Sequence, residues 1–241
     1  MRIDIISLFP EYFDGPLGCG IVRVAQSRGQ LQTTVVNPRD FTRDPHRTAD
    51  DYPFGGGPGM VLKPEPIHRA LASVRSQVAH VVMMSPRGRT FDQSIAEQFS
   101  RMEHLILICG RYKGVDERIR LECDDEVSLG DFVLSGGEAA ATSVTEAVAR
   151  LLPGAVGDTE SVDTDSFTSG LLDCPYYTRP ATFDGMSVPE QVLAGDHSAV
   201  AAWRRRQSIS ATARRRPQLL RNAVLTSTER DALCLEIQKE S

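Results

Sequence analysis

The sequence has 241 residues, 41% apolar and 24% charged, with a formal net charge of −5. That length supports one sizeable core plus a small second unit, and no apolar run reaches the ~18 residues of a membrane span. The net negative charge by itself argues against nucleic acid as a partner, and DNA is not expected.

The first apolar run, residues 3–9, carries Asp4 and no small-residue cleavage site. It therefore predicts a strand and not a signal peptide, and a cytoplasmic protein. Further strands are predicted at 31–36, 80–84, 105–109 and 127–134, most of them ending in glycine, proline or a polar turn. Helical periodicity falls between them, at 21–28 closed by Gly29, 65–75, 92–101, 115–122 and 138–152. Strand alternating with helix implies an α/β fold, a parallel sheet covered by helices on both faces. In such sheets ligands sit at the carboxyl ends of strands, where Ser85-Pro86, Gly110-Arg111 and the segment 130–137 all fall.

That last segment belongs to the most informative stretch, residues 128–138, Ser-Leu-Gly-Asp-Phe-Val-Leu-Ser-Gly-Gly-Glu. Glycine in a strand-like run leaves room for a ligand or a second backbone. The chain lacks both GxxxxGK[ST] and GxGxxG, the phosphate and dinucleotide patterns. Asp131 and Glu138 would repel a pyrophosphate yet tolerate a neutral heterocycle or a cation. A sulfonium nucleoside such as S-adenosylmethionine fits that description; a tight turn packed on a helix is the alternative.

Cys19, Cys109, Cys123, Cys174 and Cys234 are odd in number and contain no CxxC, and the five histidines contain no HExxH. Reduced thiols and no structural metal are expected, with Cys109 a buried small hydrophobe. After residue 152 the pattern changes. Residues 157–170 read as a flexible linker, and 171–241 as a helical domain in which Asp196 caps one helix and Thr226-x-x-Glu229 forms a capping box for another. This domain is the basic end, with 10 Lys and Arg against 8 Asp and Glu, whereas residues 1–170 hold 17 against 24. Arg204 to Arg206 and Arg214 to Arg216 lie about three helical turns apart and can share one flank, with Trp203 placed to pack on a sugar or base. A solvated helix face is the bland alternative.

Many blocks in fixed order carry a resemblance: Ile-Ser-Leu-Phe-Pro at 6–10, Asn-Pro-Arg-Asp-Phe at 37–41, Asp50-Asp51, Gly-Gly-Gly-Pro-Gly-Met at 55–60, Ser-Pro-Arg-Gly-Arg at 85–89, Cys-Gly-Arg-Tyr at 109–112, Gly-Gly-Glu at 136–138, Ala-Val-Ala-Arg at 147–150, Asp-Ser-Phe at 165–167, Gly-Leu-Leu-Asp-Cys-Pro at 170–175 and Tyr-Thr-Arg-Pro at 177–180. The chain resembles the bacterial tRNA (guanine-N1)-methyltransferases of the TrmD type, which are knotted SPOUT methyltransferases. The resemblance covers nearly the whole sequence. It implies a domain at 1–156 ending in a trefoil knot, a homodimer whose partner completes the site, and tRNA with guanosine at position 37 as substrate. S-adenosylmethionine would be bound by Met84, Ser85, Pro86, Gly110, Arg111, Tyr112, Ser128, Leu129, Gly130, Asp131, Phe132, Val133, Leu134, Gly136 and Gly137. Asp165 would be the general base and Arg150 the cation stabilising the guanine carbonyl oxygen. Asp50, Gly55, Gly57, Gly59, Arg179, Arg204 and Arg214 would contact the substrate.

Each role has a plainer reading beside it: Asp165 as a solvated linker acid, Arg150 as a cation at a helix C-terminus. Departures from the pattern matter equally. Lys113 stands where the family usually carries an acid, which weakens the expectation of Mg2+ dependence that the resemblance brings. Phe132 and Ala140 replace a frequent Tyr and Pro while keeping an apolar wall, and Arg87 replaces a common Gln. Two further classes remain open on sequence: a related knotted enzyme acting on another RNA, and an RNA-binding protein without catalysis.

Overall fold

A computed structural model describes residues 1–157, 164–221 and 223–240, in two units, Met1–Gly157 and Asp158–Ser241. In the first unit β1 (Arg2–Ile6), β2 (Gln32–Val36), β5 (Ala79–Thr90), β6 (His104–Cys109) and β7 (Asp125–Ser128) form one sheet in the order β2-β1-β6-β5-β7. Every pairing in it is parallel. A separate antiparallel pair, β3 (Asp50–Asp51) and β4 (Val61–Leu62), lies outside it.

Side chains alternate across a strand, so a sheet covered on both sides needs apolar residues at every position. β6 meets that condition from Leu105 to Cys109, all of them buried. Ile3, Ile5, Val82, Met84, Leu105 and Leu107 face one core with α2 (Gly20–Ser27), α4 (Gln93–Ser100) and α6 (Glu138–Leu151). Ile6, Val81, Met83, Ile106 and Ile108 face the other, with α3 (Pro64–Val74) and α5 (Glu117–Arg120). A short α1 (Asp14–Leu17) precedes α2. The one buried charge inside β1, Asp4, accepts a bond from His104 Nε2 at 2.8 Å and pairs with Arg2 at 2.8 Å, as a carboxylate removed from water must.

Three expectations change. The strand predicted at 80–84 continues to Thr90, but Pro86 has no N–H for a ladder. Residues 85–88 therefore leave the pairing with β7, which holds at Met84 and resumes at Arg89. Gly88 closes this excursion by lying on the β7 backbone, where a Cβ would collide with Glu126 and Val127. The strand predicted at 127–134 stops at Ser128, because Gly130 takes a φ of 148° and turns the chain; Phe132, Val133 and Leu134 are exposed loop residues. The helix predicted at 115–122 shrinks to one turn, since Asp116 is its cap, accepting from the Arg118 N–H at 2.9 Å.

Residues 158–163 of the segment read as a linker lie outside the described residues. Residues 164–170 form turns in which Phe167 N–H donates to the Leu171 carbonyl at 2.7 Å. The second unit carries α7 (Glu190–Leu193), α8 (His197–Arg215) and α9 (Ser227–Glu240). It is not all helical, for β8 (Thr182–Phe183) and β9 (Met186–Ser187) form an antiparallel hairpin. Asp196 caps α8 by accepting from Ser198 and Ala199 N–H at 2.9 and 3.2 Å. The capping box of α9 is formed reciprocally: Thr226 N–H donates to Glu229 at 2.8 Å and Glu229 N–H to Thr226 Oγ at 3.2 Å. Arg205 bonds the same carboxylate at 2.8 Å, and with the Thr226 N–H it holds the Glu229 pKa at about 2.

No helix among the described residues is long and apolar enough to cross a membrane. Phe99 is fully buried between α4 and the sheet, its ring 6.4 Å from that of Phe91. Replacing it by alanine is expected to cost about 3–5 kcal/mol in urea unfolding of the first unit; a loss under about 1 kcal/mol would show that this core is not packed as described.

Candidate active site

Three chain segments meet where β5, β6 and β7 end. They are the 85–88 excursion, the turn 110–114 and the glycine loop 129–137, and with 51–54 and the start of α5 they line a cleft of about 920 Å³. Met84, Ser85, Pro86, Gly110, Arg111, Tyr112, Ser128, Leu129, Gly130, Phe132, Val133, Leu134, Gly136 and Gly137 all line it. Asp131, predicted with them, is exposed at the loop tip and is not part of the lining.

Backbone contact without side chains builds the floor. Gly137 N–H donates to the Gly110 carbonyl at 2.9 Å, and a Cβ on Gly137 would stand 2.9 Å from both Cys109 Cα and Met84 Cβ. Only glycine permits that approach without displacing two strand ends. Gly136 crosses Arg111 and Glu138 so closely that a Cβ would strike both side chains. Glu138, the first residue of α6, is 1% exposed. Its Oε1 accepts from Ser7 Oγ at 2.7 Å, and its Oε2 lies 3.0 Å from Arg111 Nε. The Arg111 guanidinium rests 4.4 Å over the Phe9 ring.

The turn 110–114 is fixed from its other side. Lys113 N–H donates to Met60 at 2.9 Å and Leu62 N–H to Gly114 at 3.0 Å, while Tyr112 holds a left-handed φ of 61°. That conformation costs a non-glycine residue energy and persists only where the surroundings enforce it. The stem of Lys113 runs against Gly59, where a Cβ would approach its Cγ to 2.9 Å. Gly59 thus makes room for Lys113, while Asp50, Gly55, Gly57 and Gly59 themselves are not in the lining. Their neighbours Tyr52 and Phe54 are, and both rings are largely exposed. Aromatics inside so glycine-dense a segment were the available signal for them.

Burial, reinforced by Glu138, pushes the Cys109 thiol well above its ordinary range, so Cys109 is the inert hydrophobe expected. Two of the acids that line the cleft, Asp116 and Glu117, are committed to neighbouring arginines. Asp116 bonds Arg118 twice at 2.8 Å, and that bond lowers its pKa. Glu117 is lowered by its bonds to Arg120 and Arg87, the latter reaching it from the 85–88 excursion at 3.1 Å. Among the described residues no group of three or more His, Cys, Asp and Glu is placed to hold a metal ion. Lys113 puts a cation in the same cleft, which disfavours a magnesium ion there.

Arg150 closes α6 in the first unit. Asp165 belongs to the second unit, where its carbonyl accepts from Thr168 N–H at 3.3 Å. Arg179, Arg204 and Arg214 are exposed there, and Arg204 lies 5.4 Å from the Tyr176 ring centre. Two expectations about the arginine-rich helix are corrected. Trp203 is 7% exposed and packs 6.2 Å from Tyr177, so it is core and has no face for a base. Arg205 is occupied by Glu229.

A family model described as tRNA (Guanine-1)-methyltransferase TrmD matches residues 1–222. The chain belongs to the TrmD family. Curated relatives named tRNA (guanine-N(1)-)-methyltransferase include one from Dictyoglomus turgidum, 48% identical over 240 residues that make up 100% of this chain and 98% of the relative. Another, from Geotalea uraniireducens, is 50% identical over 236 residues, 97% of this chain and 96% of the relative. A third, from Levilactobacillus brevis, is 46% identical over 248 residues and spans 100% and 98%. The TrmD match runs through the glycine loop and both arginine triplets, 204–206 and 214–216.

Gly137→Ala is expected to weaken methyl-donor binding at least ~10-fold with the fold retained, because overpacking displaces loop or strand ends by a fraction of an ångström. Calorimetric titration checks it, and unchanged affinity would show that the loop does not need its close seat.

Proposed function

We propose that this chain methylates N1 of guanosine 37 in tRNA, drawing the methyl group from S-adenosylmethionine in the cleft of the first unit. The observation that carries the reading is the floor of that cleft, glycine backbone laid directly on the ends of β5 and β6 beneath an apolar wall. Such a seat fits a flat heterocycle: Leu129, Phe132, Val133, Leu134 and Ala140 offer apolar contact, and no phosphate-binding pattern competes. When bound, S-adenosylmethionine supplies an electrophilic methyl group on a sulfonium.

The chain's own residues do the rest. Neutral guanine carries a proton on N1 and is a poor nucleophile there until a base removes it. Asp165 takes that proton. As it leaves, negative charge spreads to the carbonyl oxygen of the base, and the Arg150 guanidinium stabilises it. Exposed Arg179, Arg204 and Arg214 hold RNA phosphates. We further propose the trefoil knot for the segments around the cleft, a homodimer in which one subunit's second unit serves the other's cleft, and action in the cytoplasm. No step runs through magnesium.

The test is methyl transfer from labelled S-adenosylmethionine to tRNA bearing guanosine at 37, beside the same tRNA with adenosine there. Label on the first alone is expected; label on both, or on neither, contradicts the reading. Asp165→Ala is expected to cut transfer at least ~100-fold while donor affinity stays near wild type, and normal turnover would remove Asp165 from its role. Chelation of divalent ions by EDTA is expected to leave the rate within about twofold on a folded tRNA; loss restored by Mg2+ alone would contradict the assignment.

A further inference from the structure

Glu138 has no part in the chemistry just described, yet it is the most deeply buried charge at the cleft. A carboxylate out of water is tolerated where it is paired and hydrogen-bonded. Its two oxygens reach different chain segments: Oε1 accepts from Ser7 Oγ at 2.7 Å, just past the end of β1, and Oε2 meets Arg111 Nε at 3.0 Å, just past the end of β6. The Glu138–Arg111 approach is close without hydrogen-bond alignment, for neither Nε nor Oε2 has a bonded partner. Arg111 is further held by its stacking on Phe9, two residues beyond Ser7, and by a backbone bridge to Gly136. Gly136 passes over the ion pair with no space for a side chain. The carboxylate thus stands beneath the loop that forms the cleft floor, and it sits in the first turn of α6, where the helix dipole favours negative charge.

We infer that Glu138 is a positioning residue for the methyl donor: with Ser7 behind it, it fixes Arg111, and through Arg111 and Gly136 it sets the height of the glycine loop against the strand ends. The inference rests on the reading of the cleft as the donor site. Glu138→Gln keeps the shape and a bond to Ser7 but removes the charge opposing Arg111, freeing both the guanidinium and the loop above it.

The experiment titrates the full chain calorimetrically with S-adenosylmethionine and measures initial rates with donor and tRNA varied separately. For Glu138→Gln the donor Kd and the donor KM are expected to rise about tenfold, while the tRNA KM and the kcat at saturating donor stay within about twofold. Arg111→Lys is expected to raise the donor KM similarly, and the double variant to go little further than the worse single one, since both break one linkage. A residue serving stability alone would lower the melting temperature without this split between donor and tRNA. Unchanged donor affinity in Glu138→Gln, equal rises in both KM values, or additive effects of the two substitutions would each overturn the inference. Should Glu138→Gln not fold, Ser7→Ala decides: it frees one oxygen of the carboxylate, about threefold weaker donor binding is expected, and wild-type affinity would overturn the inference. Failure of the wild-type chain to bind the donor would remove the cleft reading itself, and the inference with it.

Discussion

The cleft depends on one constraint, that the backbone at Gly137 lies directly on the ends of two parallel strands while Gly136 closes on the Arg111 and Glu138 side chains. Side-chain volume there would lift the loop from Cys109 and Met84, and with it the wall formed by Leu129 and Phe132. The rest of the first unit supplies what that contact needs. Cores on both sheet faces hold β5 and β6 rigid, Pro86 and Gly88 open a gap in the ladder beside the loop, and the Glu138 and Arg111 charges sit just beneath it. A close-packed interior transmits small displacements, so such a seat is sensitive far beyond its own contacts.

Charge is divided along the same lines. The chain is acidic as a whole, but two rim acids at the cleft are matched by arginines: Asp116 with Arg118, Glu117 with Arg87 and Arg120. Lys113 adds a cation against Gly59. Asp51 and Glu65 line the cleft as well, so its rim carries charge of both signs. In the second unit Arg205 serves the capping box of α9, which leaves Arg204 and Arg206 exposed on that turn of α8.

Most of the sheet was legible because burial on both faces forces unbroken apolar runs, as at 105–109, and because Asp92 and Asp196 mark helix starts by a local bond that sequence alone can suggest. That Ser85-Pro86, Gly110-Arg111 and the glycine loop converge was legible for a similar reason, each following an apolar run, and in the structure they line one cleft. What misled was apolar content without a core. Phe132, Val133 and Leu134 look like strand residues but are exposed at a cleft. Trp203 looks like a nucleic-acid contact beside three arginines, yet its helix turns it inward with Ser210, one heptad on. Long-range pairs left no local trace at all. Nothing near Glu138 in sequence announces Ser7, 131 residues away, and nothing about Gly59 announces the stem of Lys113.

The most direct test of the account is a crystal structure of the chain with S-adenosylhomocysteine, the demethylated form of the donor. The ligand's heterocycle is expected against Leu129 to Leu134, with its body over Gly136 and Gly137. A ligand bound in any other part of the molecule, with that loop unoccupied, would contradict it.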